Sequence, residues 1–130
     1  MMISTKGRYA LMIMVYLAQH RHDGPVSLKD IAENNDMGIK YLEIIVASLN
    51  KAGLLDSQRG KNGGYRLNKK PEEYTLLSIL QAAEGSLAPV ACVEEGFCAN
   101  APNCKTCSMW KGLEELIENY LTSKTLADII

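Results

Sequence analysis

Two short helix patterns and a glycine-rich hairpin pattern follow one another directly between residues 27 and 67, and this order constrains the fold more than any other feature. The segment VSLKDIAENN predicts a short helix, since Ser27 is a good N-cap and Asp30 holds the capping-box position. NDMG predicts a turn, and IKYLEIIVASLNKAG predicts a second helix that ends at Gly53. Two helices joined by a tight turn are typical of a helix-turn-helix.

The next segment, LLDSQRGKNGGYRL, predicts a β-hairpin. LLDS and YRL suit short strands, and Gly63 and Gly64 are expected to supply the positive φ angles of the tip. Arg59 and Lys61 place two cations beside those glycines. We therefore predict a mainly α fold in which a small β-hairpin forms the wing of a winged helix-turn-helix.

Helical periodicity covers most of the remaining chain. Ser4 to His20 suits a helix that Ser4 can cap, and TLLSILQAAEG suits a shorter helix between Thr75 and Gly85. Residues 86–103 hold two prolines, a glycine, two asparagines and two cysteines, so we expect a loop there. TLADII predicts a capped terminal turn or short helix.

A long helix is predicted from about Cys104 to Leu121, with an apolar stripe at the spacing of a packed face. We expect this helix to form a homodimer, because a long helix that follows a wing has little else to pack on. The predicted organisation is one compact domain with a winged helix-turn-helix at 1–70, a linking helix and cysteine-bearing loop at 71–103, and a dimerisation helix and terminal turn at 104–130. The stripe comprises Met109, Leu113, Leu116, Ile117, Tyr120 and Leu121.

Charge is unevenly distributed along the chain. Residues 1–70 carry eleven Lys and Arg against six Asp and Glu, whereas residues 71–130 carry three against nine, so a +5 half precedes a −6 half and the net charge is −1. This asymmetry suggests that the first half faces an anion, although an ordinary fluctuation in surface charge would look the same.

Several classes of protein are disfavoured. No apolar run is long enough to span a bilayer, and the start MMISTKGRYA lacks the order of a secretory signal, so we expect a cytoplasmic protein without a membrane partner. We find no catalytic triad, phosphate-binding glycine loop or carboxylate pair in a credible setting, and we predict neither an enzyme nor a small-molecule substrate.

A helix in the major groove must present side chains that reach base edges or phosphates, and the second helix of the motif offers several. At the start of the first helix, Lys6 and Arg8 lie where backbone N–H groups also favour phosphate. The alternatives are that these cations solvate ordinary helices or that the module binds protein. The candidate DNA contacts are Lys6, Lys29, Lys40, Tyr41, Glu43, Arg59, Gly60 and Lys61.

All four cysteines fall in one short stretch, as Cys92, Cys98, Cys104 and Cys107. Clustered thiols in a cytosolic protein suggest metal or redox chemistry, and soft thiolates favour iron–sulfur clusters or zinc. Cys104 and Cys107 are expected to share a face at the start of the long helix. An iron–sulfur site, a zinc site, and a dithiol switch or inert thiols all remain open at this point.

The start ISTKGRYALMIMVYLA, the stretch from SLKDIAENN to GGYRL, and the cysteine loop together resemble the IscR-type family of bacterial winged-helix iron–sulfur cluster regulators, with CymR and NsrR as relatives. The resemblance implies a homodimer with crossing C-terminal helices that binds a pseudo-palindromic operator. It also implies that Tyr41, Glu43 and Arg59 lie at the DNA interface.

For the cysteines, the resemblance implies a 2Fe–2S cluster rather than 4Fe–4S, ligated by Cys92, Cys98 and Cys104. IscR-type members carry a histidine ligand where this chain has Cys107, and CymR-type members lack the cysteines. Two departures affect the operator. Ile44 and Ile45 stand where polar residues often help read bases in relatives, and Gly38 and Lys40 stand where small hydroxyl residues are common. The alternatives are a zinc-stabilised regulator or protein-binding adaptor, and a thiol oxidoreductase that uses the Cys104–Cys107 pair.

Overall fold

The computed structural model describes residues 3–94 and 103–130. These residues form six α-helices, two short 3₁₀ helices and one antiparallel two-stranded sheet. None of the described helices is both long and apolar enough to cross a membrane. The elements in chain order are α1 (Thr5–Gln19), α2 (Leu28–Asn35), α3 (Ile39–Lys51), β1 (Leu55–Gln58), β2 (Gly64–Leu67), a 3₁₀ helix (Pro71–Glu73), α4 (Leu76–Glu84), α5 (Ala91–Glu94), α6 (Cys107–Ser123) and a 3₁₀ helix (Leu126–Ile129).

The helix-turn-helix formed by α2 and α3 follows from local signals. Ser27 caps α2, its hydroxyl accepting from the Asp30 N–H at 3.1 Å. Asp36 ends α2 with a left-handed backbone (φ 52°), and Gly53 follows α3 with φ 77°. The predicted order of helix, turn and helix is confirmed.

The wing is a hairpin in which Leu55 lies opposite Leu67 and Gln58 opposite Gly64. Tyr65 also exchanges two backbone hydrogen bonds of 2.8 Å with Val26, which ties the wing to the segment before α2. A Cβ on Gly64 would lie 2.2 Å from the Val26 carbonyl oxygen, so this close approach requires glycine.

One detail of the tip was predicted wrongly. The positive φ angles of the hairpin belong to Gly60 and Gly64, not to Gly63. Gly63 is needed for another reason, because a Cβ there would lie 2.1 Å from the Gln58 carbonyl oxygen.

The hydrophobic core lies around α1, which packs against α2, α3, α4 and β2. Leu126 of the C-terminal 3₁₀ helix is fully buried, and its N–H donates to the Tyr74 carbonyl at 2.9 Å. The C-terminal 3₁₀ helix therefore packs into the same hydrophobic core as α1 and α3. The buried side chains on α1 are Ala10, Ile13, Met14, Leu17 and Ala18, and those facing them on α3 are Leu42, Ile45, Val46 and Leu49.

Two predictions in the second half need correction. The long helix α6 begins at Cys107 rather than near Cys104. Thr106, at its N-cap, makes no side-chain cap bond, so the sequence carries no strong start signal there. The expected loop at 86–103 contains the short helix α5, while residues 95–102 lie outside the described residues.

Candidate nucleic-acid interface and cysteine site

The outward face of α3 carries the side chains that could enter a groove. Lys40 and Glu43 are exposed there, whereas Leu42 and Ile45 point into the core. Tyr41 is half-buried, and its ring contacts the Tyr9 ring edge-on at 5.7 Å and 70°. This contact fixes Tyr41 against α1 and leaves the neighbouring positions of α3 free to face a ligand.

The wing tip presents Arg59, Gly60 and Lys61, all three exposed. Lys29 is exposed on α2. Because the Val26–Tyr65 bridge holds the hairpin beside the start of α2, the tip cations and the helix-turn-helix belong to one packed unit.

These cations make no close contact with a carboxylate among the described residues. Within residues 3–94 and 103–130, His20 and Asp23 are the only basic and acidic side chains in close contact, with 3.1 Å between the ring nitrogen and a carboxylate oxygen. Lys29, Lys40, Arg59 and Lys61 therefore have no carboxylate partner in this part of the chain. Exposed cations without a carboxylate partner on α2, α3 and the wing tip are suited to binding a polyanion.

The expected phosphate position at the start of α1 is occupied by the protein itself. The Glu84 carboxylate accepts hydrogen bonds from the N–H groups of Ser4 (2.8 Å) and Gly7 (3.1 Å) and from the Ser4 hydroxyl (2.6 Å). Ser4 thus stands at the N-cap without capping through its side chain. A side-chain carboxylate already satisfies the Ser4 and Gly7 donors, so these two N–H groups are not available to a phosphate.

Lys6 is half-buried and Arg8 exposed on α1. Any contact of Lys6 or Arg8 with a phosphate would therefore come from the side chains themselves and not from the N–H groups at the start of α1.

Sequence analysis missed Tyr74, which is buried and joins three segments. Its hydroxyl donates to the Leu54 carbonyl (2.8 Å) and accepts from the N–H groups of Asn68 (2.9 Å) and Lys69 (3.1 Å). Burial raises the pKa of Tyr74 above its ordinary value, although the bonds from Asn68 and Lys69 oppose this shift. No local sequence signal marks this tyrosine, because its partners lie just before β1 and just after β2, at the base of the hairpin.

The cysteines lie on both sides of the segment outside the described residues. Cys92 is in α5, Cys104 just precedes α6, and Cys107 is the buried first residue of α6. Cys98 lies outside the described residues. Since Cys104 precedes the helix, the expectation that Cys104 and Cys107 share a helix face is wrong.

The surroundings of Cys104 favour its thiolate. Its sulfur lies 3.4 Å from the Thr106 hydroxyl oxygen, and hydrogen bonding from Thr106 lowers the pKa of the Cys104 thiol. The short helix α5, with Cys92, packs against α6, with Cys107. In residues 3–94 and 103–130, however, no three Cys, His, Asp or Glu residues converge as a metal site. The convergence of all four sulfurs thus stays a prediction.

The apolar stripe of α6 is largely uncovered in the single chain. Leu116 and Tyr120 are 68% and 62% exposed, and Met109 and Leu113 are also exposed. Leu116 and Tyr120 join Ile3 and Leu80 in lining an apolar groove between α6 and the core. Four of the six side chains predicted as a packed face are therefore exposed rather than packed against the other described residues.

A family model described as "Rrf2: Iron-dependent Transcriptional regulator" matches residues 3–130. The chain belongs to the Rrf2 family of transcriptional regulators. The resemblance to IscR-type regulators is thereby confirmed, as are the winged-helix fold class and the prediction of a DNA-binding regulator rather than an enzyme.

Two groups of named relatives are similar to this Rrf2 protein. "HTH-type transcriptional regulator IscR" of Aliivibrio salmonicida is 35% identical over 130 residues, which are 100% of this chain and 77% of the relative. The structure of CymR, the global cysteine regulator of B. subtilis, superposes with a TM-score of 0.81 at 37% identity, covering 99% of this chain and 95% of CymR. The structure of T. potens IscR superposes with a TM-score of 0.79 at 40% identity, covering 99% of this chain and 85% of that IscR chain.

Proposed function

We propose that this Rrf2 regulator is a cytoplasmic homodimer that binds a pseudo-palindromic operator. Its affinity for the operator would change when Cys92, Cys98, Cys104 and Cys107 hold an iron–sulfur cluster of the 2Fe–2S type. In this scheme residues 1–70 bind DNA, 71–103 carry the cluster loop and 104–130 dimerise. The observation that carries the DNA-binding role is the set of unpaired cations on α2, α3 and the wing tip.

The recognition geometry follows from α3. Its N-terminal half, with Lys40, Tyr41 and Glu43, enters the major groove, while Arg59 and Lys61 reach the flanking backbone or minor groove. Glu43 makes no hydrogen bond or ion pair within the described residues, so its carboxylate is available to accept from cytosine N4. Lys6 and Lys29 contact phosphates outside that groove.

Dimerisation rests on the uncovered stripe of α6. Two such stripes packed together would remove Leu116 and Tyr120 from water, at about 25 cal/mol per Å² of apolar surface. A two-fold dimer presents two copies of α3, which matches two half-sites of a palindrome about one helical turn apart.

The residues present fit an iron–sulfur cluster in donor chemistry. Cysteine sulfur is the ligand that iron–sulfur clusters use, and hydrogen bonding from Thr106 lowers the pKa of the Cys104 thiol toward the thiolate form. Overall likeness does not decide between IscR and CymR, since both kinds of structure match well. The cysteine set favours the cluster, because the resemblance implies that CymR-type members lack these cysteines. A bound cluster would supply a centre whose presence depends on iron supply and oxidants.

A chain of contacts links the cysteine site to the wing. The helix α5 packs against α6, and after α6 the Lys124 carbonyl accepts from the Leu76 N–H at 2.9 Å. Leu126 then binds the backbone of Tyr74, whose hydroxyl holds Asn68 at the end of the wing. We propose that α6 would shift its position when the cysteines hold a cluster, and that the contacts of Tyr74 would transmit this shift to the hairpin.

The test compares apo and anaerobically reconstituted protein on one operator at equal salt. The operator is obtained by selection from a random duplex pool. We expect the two affinities to differ by at least tenfold, which corresponds to about 1.4 kcal/mol of coupling. The matched control is Cys107→Ser, which should bind like apo protein under both conditions. Identical affinities of apo and reconstituted wild type on all selected duplexes would remove the sensing role.

A further inference from the structure

An isoleucine stands on the outward face of α3 among the polar candidates for base contact. Ile44 is 56% exposed, whereas the next residue, Ile45, is fully buried. Lys40 lies one turn before Ile44 and Ala47 lies close by on the same exposed face. The hydroxyl of Ser48, one turn later, bonds to the Ile44 carbonyl at 3.2 Å and leaves the side chain untouched.

The core does not need this side chain. Leu42, Ile45, Val46 and Leu49 already supply the buried face of α3. An isolated exposed apolar residue usually needs no explanation, but Ile44 lies on the face that presents Lys40 and Glu43. Together with Ala47 it makes a small apolar strip beside charged side chains.

The chemistry of this strip fits one feature of the major groove. Among the groups that base pairs present there, the thymine C5-methyl is the apolar one, and the others are hydrogen-bond donors and acceptors. An isoleucine above a polar base edge would displace water without replacing its hydrogen bonds. The strip is also far smaller than a stable protein interface, which buries about 800 Å² on each partner.

We propose that Ile44, supported by Ala47, is a specificity-determining residue that selects thymine by contact with its C5-methyl group. This inference rests on the proposed operator binding and names one base preference within it.

The probe is a duplex selected from a random pool by the wild-type protein, in which each thymine is replaced in turn by deoxyuridine. This replacement removes only the methyl group. At one or two thymines per half-site we expect a three- to fivefold loss of wild-type affinity, the scale of one buried methyl group. In Ile44→Ala the same replacements should change affinity less than 1.5-fold, roughly, because little contact is left.

Two further variants complete the test. Met12→Ala removes an exposed apolar side chain from α1 and should keep the full deoxyuridine penalty. Ile44→Gln, put through a new selection, should exchange the preferred thymine for adenine, which glutamine can bond at N6 and N7.

The possible failures are distinguishable. If wild type selects a duplex but its deoxyuridine penalty persists in Ile44→Ala, or if the selected half-sites lack thymine, the inference on Ile44 is overturned while operator binding stands. If wild type enriches no duplex at all, the proposed DNA binding itself fails, and the inference with it.

Discussion

The Glu84 carboxylate at the end of α4 accepts hydrogen bonds from both the backbone N–H and the hydroxyl of Ser4, at 2.8 and 2.6 Å. One acidic residue thus joins the last turn of α4 to the first turn of α1, across eighty positions of sequence. The same carboxylate fills the helix terminus that a phosphate could otherwise occupy.

Replacing Glu84 should therefore loosen α1. We expect Glu84→Ala to lower the free energy of unfolding by about 1–2 kcal/mol, because the Ser4 and Gly7 donors lose their shared acceptor. Urea unfolding measures this change, with Glu72→Ala, at an exposed glutamate, as the control. A Cβ on Gly7 would meet Glu84 Oε1, so Gly7→Ala should weaken the same contact and add little in the double variant. Full additivity would contradict the shared anchor.

The Tyr74 hydroxyl bonds to the backbone just before β1 and just after β2, at the base of the wing. We expect Tyr74→Phe to lower the free energy of unfolding by about 1–3 kcal/mol. Because folding raises the pKa of Tyr74 above 10.0, the protonated hydroxyl stabilises the fold below pH 10, and this contribution disappears as the pH rises through the folded-state pKa. Wild-type stability should thus fall more steeply above pH 10 than that of Tyr74→Phe. Parallel alkaline profiles for the two proteins would speak against this role.

The exposed stripe of α6 predicts that association depends on Leu116. We expect wild type to sediment as a dimer and Leu116→Glu to sediment largely as a monomer at micromolar concentration, because a buried unpaired carboxylate is unfavourable. Thr122→Glu adds the same charge to α6 away from the stripe and should remain a dimer. A dimeric Leu116→Glu protein, or a monomeric wild type, would place the interface elsewhere.

Arg59 at the wing tip should act through phosphate. Arg59→Ala is expected to weaken binding to selected and unrelated duplexes by similar factors. It should also reduce the slope of log K against log salt by about one for each chain bound. Fluorescence anisotropy over a salt series gives both values, and Lys111→Ala on α6 is the control. If the slope stays unchanged or only the selected duplex is affected, Arg59 is not a phosphate contact.

Local chemistry made the elements from α1 to α4 predictable. The Ser27 and Thr75 caps and the glycines after α3 and α4 mark element ends within a few residues of sequence, and each appears where it was expected. The start of α6 was misplaced because Thr106 makes no side-chain cap bond, and a periodic pattern alone does not fix a helix start.

Contacts between distant segments were beyond sequence reasoning. The Glu84–Ser4 and Tyr74–Leu54 bonds join residues whose identities carry no local signal. In the same way, the order of Cys92, Cys104 and Cys107 predicts the donor chemistry but not the path that would bring the sulfurs together.

Iron and acid-labile sulfide, measured together with zinc on protein purified without oxygen, test the central claim most directly. We predict equal amounts of iron and sulfide, about two of each per chain, a coloured protein, and only traces of zinc. The same preparation of Cys107→Ala should lose most of both. Wild-type protein that holds stoichiometric zinc, or neither iron nor sulfide, would contradict the cluster and leave only the DNA-binding role.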